Sequence, residues 1–390
     1  MAEGIVKPGL EGVVAGETSI CAVRPQEGKL IYRGYDIHVL AEKVSFEEVA
    51  FLLLNLRLPT QSELQAFDRQ LKAHRELPPG LLETLLSLPS HGPAMDRLRA
   101  AATILGLYDP DLEDDSPEAN LRKSISLLAQ LTTLVAAQER ISQGLEVIPP
   151  NPDLSHAANF LYMLRGKSPE ELEVRVLDIT FILYAEHEFN ASTFTARVVA
   201  STLSDLYGAV TGALASLKGP LHGGANEKAM EVLLEIGDPA HAEAWVLNAL
   251  KEKSRIMGFG HRIYKKADSR VELAKKWGRK LAEKEKNTKW HEICEIVEDV
   301  MRREKNLFPN VDFYTAPLYY LMRIPIRLYT PLFACSRVVG WSAHVMEQKE
   351  KNRLFRPNSL YIGPEGLQFL PLEKRSAPKG PSNTVSKKRK

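Results

Sequence analysis

Helix starts and stops punctuate this chain more regularly than any other feature, and they restrict it to a packing of helices. Ser45-Phe-Glu-Glu48 is a capping box, followed by Val49, Leu52, Leu53 and Leu56 at helical spacing and stopped by Pro59. Thr60-Gln-Ser-Glu63 repeats the signal at once, which predicts two antiparallel helices joined by a tight turn. Ser168-Pro-Glu-Glu171 places a proline at the first helical position, where its missing N–H costs nothing. Behind it, Leu172, Val176, Ile179 and Leu183 lie in a segment apolar almost all round, the pattern of a buried helix. Further helical stretches are expected over roughly 117–143, 155–165, 225–236, 239–253, 270–286, 289–304 and 330–350. The exception is N-terminal: Thr18 to Val23 and Lys29 to Arg33 are β-prone runs around Pro25-Gln-Glu-Gly28, which predicts a small hairpin. The expected class is all-α with a minor β element.

With 390 residues, 44% of them hydrophobic, the chain can bury a large core and form two or three domains. Apolar runs such as Ala50 to Leu54 fall far short of the ~18 residues that a bilayer span needs. Three cysteines at unrelated spacings, Cys21, Cys294 and Cys335, make neither a disulfide framework nor a CxxC site, so a reducing compartment is expected. The N-terminus carries no secretory or transit pattern, and the expected location is cytoplasmic. Seven basic side chains and no acid lie between Lys374 and Lys390. Removing those seven positive charges takes the net charge from +2 to −5, so the body is mildly acidic. The tail is rich in Pro, Ser and Gly and is expected to be disordered. No nucleic acid or membrane is expected as a partner.

Gly- and Pro-rich punctuation at 218–224 and 323–327 sets the expected domain boundaries. Residues 1–224 would form a large helical domain, 225–322 a smaller inserted one, 323–373 the large domain continued, and 374–390 the tail.

Three polar islands interrupt the apolar text: Glu186 to Thr193, Leu221 to Glu227, and Gly258 to Lys265 with Asp268-Ser-Arg270 close behind. A fourth feature, Phe308-Pro-Asn310-Val-Asp312-Phe-Tyr314, sets a carboxylate among aromatic neighbours. Desolvation there would raise its pKa toward the range of a general base, unless a nearby cation opposes it. Taken alone, Asp312 reads more simply as a cap for the helix that follows. A lone histidine is most often a hydrogen-bonded structural residue; two that adjoin glycine near a helix start, His222 and His261, bring function and structure to even weight. HExxH is absent, Gly258-Phe-Gly260 lacks the third glycine of a dinucleotide loop, and neither GxSxG nor a Walker A motif occurs.

Together the islands are far more specific than any one alone. The chain resembles the citrate synthase family from about Gly9 to Gly363. The likeness is carried by Gly9 to Val13, Tyr32 to Asp36, His187 to Thr193, His222 to Glu227, Gly258 to Lys265, Pro309 to Tyr314, Ser336 to Trp341 and Arg356-Pro357. The resemblance implies a two-domain, multihelical fold and an acyltransferase of the tricarboxylic acid cycle. Such an enzyme condenses acetyl-CoA with oxaloacetate, without metal or cofactor. By resemblance Asp312 is the base, His222 stabilises the enolate, and His261 polarises the oxaloacetate carbonyl. His187, Arg270, Arg337 and Arg356 would bind oxaloacetate, with Arg356 reaching in from the partner subunit of a homodimer. Arg255, Met257, Gly258, Gly260, Lys305 and Asn310 would contact CoA. Ser269 departs from the proline that many relatives place before the arginine matching Arg270. The rival readings are a 2-methylcitrate synthase using propionyl-CoA and a catalytically silent helical homologue that acts as a binding protein.

Overall fold

A computed structural model describes residues 6–89, 91–260 and 268–375. Its contacts divide the chain into two units, 16–355 and, separately, 1–15 with 356–390. All the strands and α-helices described here belong to 16–355. Among its described residues the other unit carries two single-turn 3-10 helices, Pro8–Leu10 and Leu372–Lys374, and is otherwise irregular.

The N-terminal hairpin forms where expected and gains a third strand. β1 (Cys21–Arg24) pairs antiparallel with β2 (Lys29–Tyr32), with Cys21 opposite Tyr32. β2 then pairs with β3 (Tyr35–Asp36) across the two residues Arg33 and Gly34. Both have positive φ, 49° and 89°, the geometry that lets so short a connection match strand twist.

Sixteen α-helices follow among the described residues. The first group is α1 (Ile37–Lys43), α2 (Phe46–Asn55), α3 (Gln61–Ala73), α4 (Pro79–Ser87), α5 (Ala94–Gly106) and α6 (Pro117–Ser142). Next come α7 (His156–Arg165), α8 (Glu171–Tyr184), α9 (Ala191–Ser201), α10 (Leu206–Leu217), α11 (Ala225–Ile236) and α12 (Pro239–Lys251). The last are α13 (Val271–Lys284), α14 (Lys289–Lys305), α15 (Val311–Leu321) and α16 (Tyr329–Glu350). The architecture is all-α with one small sheet.

Both expected capping boxes are present: Ser45 with Glu48 opens α2 and Thr60 with Glu63 opens α3. The start of α8 differs from the sequence expectation. Helix begins at Glu171 rather than Pro169, because Glu173 reaches back to the Glu170 N–H (3.2 Å), moving the box two residues along.

α6, α8 and α16 carry buried residues round most of their circumference and form the centre, with α16 lying against α6, α8, α9, α10 and α2. The helices from α11 to α15 pack chiefly on one another, α12 on α14 and α15 on α11 and α13. They meet the rest mainly through α13 on α8 and α11 on α16. Pro317 lies within the continuous α15 and removes the N–H that Phe313 O would accept, and the buried Cys294 thiol lies against that carbonyl (3.9 Å). All three cysteines are buried and unpaired. No helix among the described residues is long and apolar enough to cross a membrane.

Candidate active site

The C-terminal end of α8 organises the site. The Tyr32 hydroxyl, carried by β2, lies within hydrogen-bond reach of Ile182 O (3.1 Å) and Glu186 O (2.9 Å) and accepts from Glu186 N–H (3.2 Å). The sheet thus ties down the point where the helix stops. Glu188 then takes a left-handed φ of 52° and Asn190 caps α9 by accepting from Thr193 N–H. The first polar island is therefore a helix-to-helix turn held at both ends.

Asp312 occupies the second position of α15; the capping position belongs to Asn310. Its carboxylate does not cap the helix. It accepts from the Tyr184 hydroxyl at 2.6 Å, and that hydroxyl is also 2.6 Å from Thr315 Oγ1. Burial pushes the Asp312 pKa up to about 6, against the Tyr184 hydrogen bond and the cations Arg270 and Arg337, which pull it down. Desolvation prevails, so a buried carboxylate titrates close to neutrality.

His222 stands in the turn after α10. The turn is tight: Gly223 N–H donates to Leu217 O, and a Cβ on Gly223 would collide with that same carbonyl. His222 Nε2 accepts from Ser192 N–H (3.2 Å) and is 2.8 Å from Ser192 Oγ, which itself accepts from Trp341 Nε1 (3.1 Å). A backbone donor on Nε2 assigns the ring proton to Nδ1. Burial, with Arg337 adding to it, lowers the His222 pKa to about 4, so the ring is neutral at pH 7.

Two arginines approach the same helix end. Arg337, on α16, donates from Nε to Tyr184 O (2.6 Å), and its guanidinium lies 4.7 Å from the Phe333 ring centre. Phe333 also touches Tyr184 (4.5 Å between ring centres) and His222 (6.3 Å), so one aromatic ring links the cation, the carboxylate's donor and the imidazole. Arg270 precedes α13. Its fork grips Asp268 (Nε to Oδ1 3.0 Å, Nη2 to Oδ2 2.8 Å), leaving Nη1 toward Leu183 O (3.4 Å). Asp268 also accepts from Val311 N–H, beside Asp312. His187 is buried at the turn, and its carbonyl accepts from Asn190.

The glycine loop before residue 261 is stitched to the segment leading into α15. Asn310 N–H donates to Gly258 O (2.9 Å), Asn310 Nδ2 to Gly260 O (3.3 Å), and Gly260 N–H to Phe308 O (2.9 Å). Gly258, at φ 85°, leaves no room for a Cβ, which would lie 2.8 Å from Phe313 Cβ. Met257 is half-buried beside it, whereas Arg255 and Lys305 are exposed and no described bond ties them to the loop. His261 lies outside the described residues. Arg356 belongs to the second unit, where it is exposed and donates to Pro357 O.

The structure thus gathers His187, His222, Arg270, Asp312 and Arg337 round one helix end, and Gly258, Gly260 and Asn310 in an adjoining loop. Sequence reasoning missed Tyr184, which reads as one more apolar-face residue of a buried helix. Its one distinguishing signal is position, two residues before the first polar island begins at Glu186. Phe333 gives no such signal.

A sequence model of the family described as citrate synthase, C-terminal domain, matches residues 9–358. Citrate synthase 2 of Bacillus subtilis is 46% identical over 370 residues, covering 94% of this chain and 99% of the relative. The 2-methylcitrate synthase of Mycobacterium tuberculosis is also 46% identical, over 92% of this chain and 91% of its own length. Among solved structures, the ternary complex of Thermoplasma acidophilum citrate synthase with carboxymethyl coenzyme A and oxaloacetate superposes with a TM-score of 0.89. It is 32% identical and covers 95% of this chain and 99% of its own. The chain belongs to the citrate synthase family of enzymes.

Proposed function

We propose that this enzyme condenses acetyl-CoA with oxaloacetate and water to give citrate and CoA. The observation that carries the reading is the buried Asp312 carboxylate, held near pKa 6 by its site and joined through Tyr184 and Phe333 to a neutral His222 whose Nδ1 bears the proton. Asp312 removes a proton from the thioester methyl group and becomes neutral. A carbon acid beside a thioester is far weaker than a carboxylic acid, so the reaction needs a donor for the developing enolate oxygen. His222 Nδ1–H supplies it, as a preorganised dipole in a dehydrated site. The enol carbon then attacks the oxaloacetate carbonyl carbon, which His261 polarises. Water hydrolyses the resulting citryl thioester and releases CoA.

Arg337, Arg270 and His187 would hold the oxaloacetate dianion, with Arg356 contributed by the partner of a homodimer, so that each site is shared. Arginine suits this role because its planar fork meets a carboxylate through two hydrogen bonds. The loop Arg255 to Gly260, with Lys305 and Asn310, would take CoA. The mechanism calls for no metal or organic cofactor, since imidazole N–H groups meet both developing charges. Residues 225–322 act as the smaller domain, closing on oxaloacetate and excluding water until condensation is complete. The enzyme would work in the cytoplasm.

Propionyl-CoA is the second reading, because relatives of equal identity carry the name 2-methylcitrate synthase. One added methylene changes pocket affinity by only about 1–3 kcal/mol. The test compares thiol release from acetyl-CoA and propionyl-CoA, each with and without oxaloacetate. Oxaloacetate-dependent release with higher kcat/KM for acetyl-CoA supports the first reading, and the opposite preference replaces it with the second. Release independent of oxaloacetate removes both.

A further inference from the structure

α16 turns one face toward the end of α8: Arg337, Gly340, Trp341 and His344 recur at three- and four-residue spacing, and each meets the segment from Tyr184 to Ser192. His344 is fully buried, and its Nε2 lies 2.9 Å from Oε1 of Glu186, which is fully buried too. Its other ring nitrogen, Nδ1, lies 3.0 Å from Arg197 Nη1 on α9. A guanidinium can only donate, so Nδ1 accepts and the ring proton sits on Nε2, which donates to Glu186. Arg197 Nη1 also donates to Glu347 Oε2 (2.7 Å), and Glu347 Oε1 accepts from the Ser19 N–H (2.7 Å) just ahead of β1. The Phe189 ring closes the group, its centre 4.6 Å from the Arg197 guanidinium and 5.6 Å from the centre of the His344 ring.

A carboxylate placed as Glu186 is placed is costly. Among the described residues His344 is the one hydrogen-bond donor to it, and Oε2 has no partner. A neutral side chain would fill the space at less cost, so the charge itself has a use. Burial lowers the pKa of the Arg337 guanidinium, and Glu186 is the foremost charge opposing that fall. The two nevertheless do not pair. Among the described residues no ion pair joins Glu186 to Arg337, whose Nε donates instead to Tyr184 O. Glu186 steadies the buried cation from nearby while its carboxylate is held by His344.

We propose that His344 is a positioning residue for oxaloacetate: by holding Glu186 through Oε1 it keeps that carboxylate off Arg337 and leaves the guanidinium fork to a substrate carboxylate. This rests on the reading of Arg337 as an oxaloacetate ligand. Arg197 is the outer half of the device, because its N–H on Nδ1 keeps the His344 proton on the side of Glu186. Released, Glu186 would compete with the substrate for the same planar fork.

The test reads oxaloacetate affinity by calorimetry in the absence of acetyl-CoA, and kcat by thiol release at saturating substrates. Asparagine puts its amide near the Nδ1 position of the histidine it replaces, and glutamine near Nε2. His344→Asn can serve Arg197 but not Glu186, and it should weaken oxaloacetate binding by about tenfold or more with kcat changed far less. His344→Gln keeps a donor for Glu186 and should bind nearly as wild type does. Adding Glu186→Gln to His344→Asn removes the competing charge and should restore affinity, whereas a merely structural lesion would be deepened by a second buried substitution. Glu186→Gln alone should bind oxaloacetate no more weakly than wild type, and it carries the test if the His344 variants fail to fold. Unchanged affinity in His344→Asn, no restoration in the double variant, or weakened binding in folded Glu186→Gln each overturns the proposal. Wild-type enzyme that binds no oxaloacetate removes the reading of Arg337 as well, a result distinct from any of these because it appears before a variant is made.

Discussion

Asp312 pays for its position with solvation: a carboxyl group with an ordinary pKa of 3.8 titrates near 6 once buried behind Tyr184. Because the folded protein holds this proton more tightly than the unfolded chain, ionising it removes stability as pH rises from about 4 through about 6. The difference corresponds to about 3 kcal/mol at neutral pH. Asp312→Asn removes that cost, so its melting temperature at pH 7 should exceed that of wild type, with the gap closing below pH 4. His222 acts in the opposite sense. Its folded pKa of about 4 lies below the ordinary 6.5, so its contribution is present above 6.5 and lost as pH falls toward 4. Thermal melts of wild type and Asp312→Asn across pH 3.5 to 8 check the sign. Tyr184→Phe deletes the hydrogen bond that holds the Asp312 pKa down, so the acidic limb of kcat/KM should move to higher pH. A pH–rate profile reads this directly, and an unmoved limb would detach Tyr184 from the base.

At the level of helices, the site depends on how closely α16 can approach the end of α8. Gly340 makes that approach possible: a Cβ there would overlap Glu186 Oε2 and Ala185 O, one a fully buried carboxylate and the other backbone. Gly340→Ala should therefore destabilise by at least about 2–3 kcal/mol in urea unfolding, above the usual effect of a surface Gly→Ala change. Such a close approach is invisible in sequence. What sequence does carry is local. The boxes at Ser45 and Thr60 state their helix starts in four residues each, and Pro25 to Gly28 states the hairpin. α8 starts two residues late because two overlapping patterns compete, Ser168 to Glu171 and Glu170 to Glu173, and only coordinates decide between them. Ile37–Lys43, Pro79–Ser87, Ala94–Gly106, Ala191–Ser201 and Leu206–Leu217 go beyond the helices expected from the sequence. Ala191–Ser201 begins inside a polar island, and Leu206–Leu217 carries Gly208 and Gly212. Residues with chemistry-bearing side chains in polar islands, His222 and Asp312, were legible as candidates. Tyr184 and Phe333, which join them, were not, because aromatic residues in apolar helices look like core.

The whole-molecule claims concern sharing and closure. If Arg356 serves the partner's site, Arg356→Ala and Asp312→Ala enzymes should each be inactive alone. Dissociated and reassociated together, they should recover up to about one quarter of wild-type activity, since half the dimers are hybrids with one intact site. No recovery on mixing would mean that each chain supplies both Asp312 and Arg356 to its own site. If oxaloacetate closes residues 225–322 over the cleft, acetyl-CoA should bind more tightly with a non-reacting oxaloacetate analogue present. By linkage the analogue should gain the same factor from acetyl-CoA. Calorimetry in both orders measures that coupling, and equal affinities would remove the closure step.

The most direct measurement is oxaloacetate-dependent CoA release by Asp312→Asn, followed beside its thermal melt at pH 7. Losing a positioned base costs about 10²–10⁴-fold. The expected result is a loss of that order in a protein that melts no lower than wild type. Release within a few-fold of wild type would show that some other group takes the proton, and the mechanism built on the end of α8 would not stand.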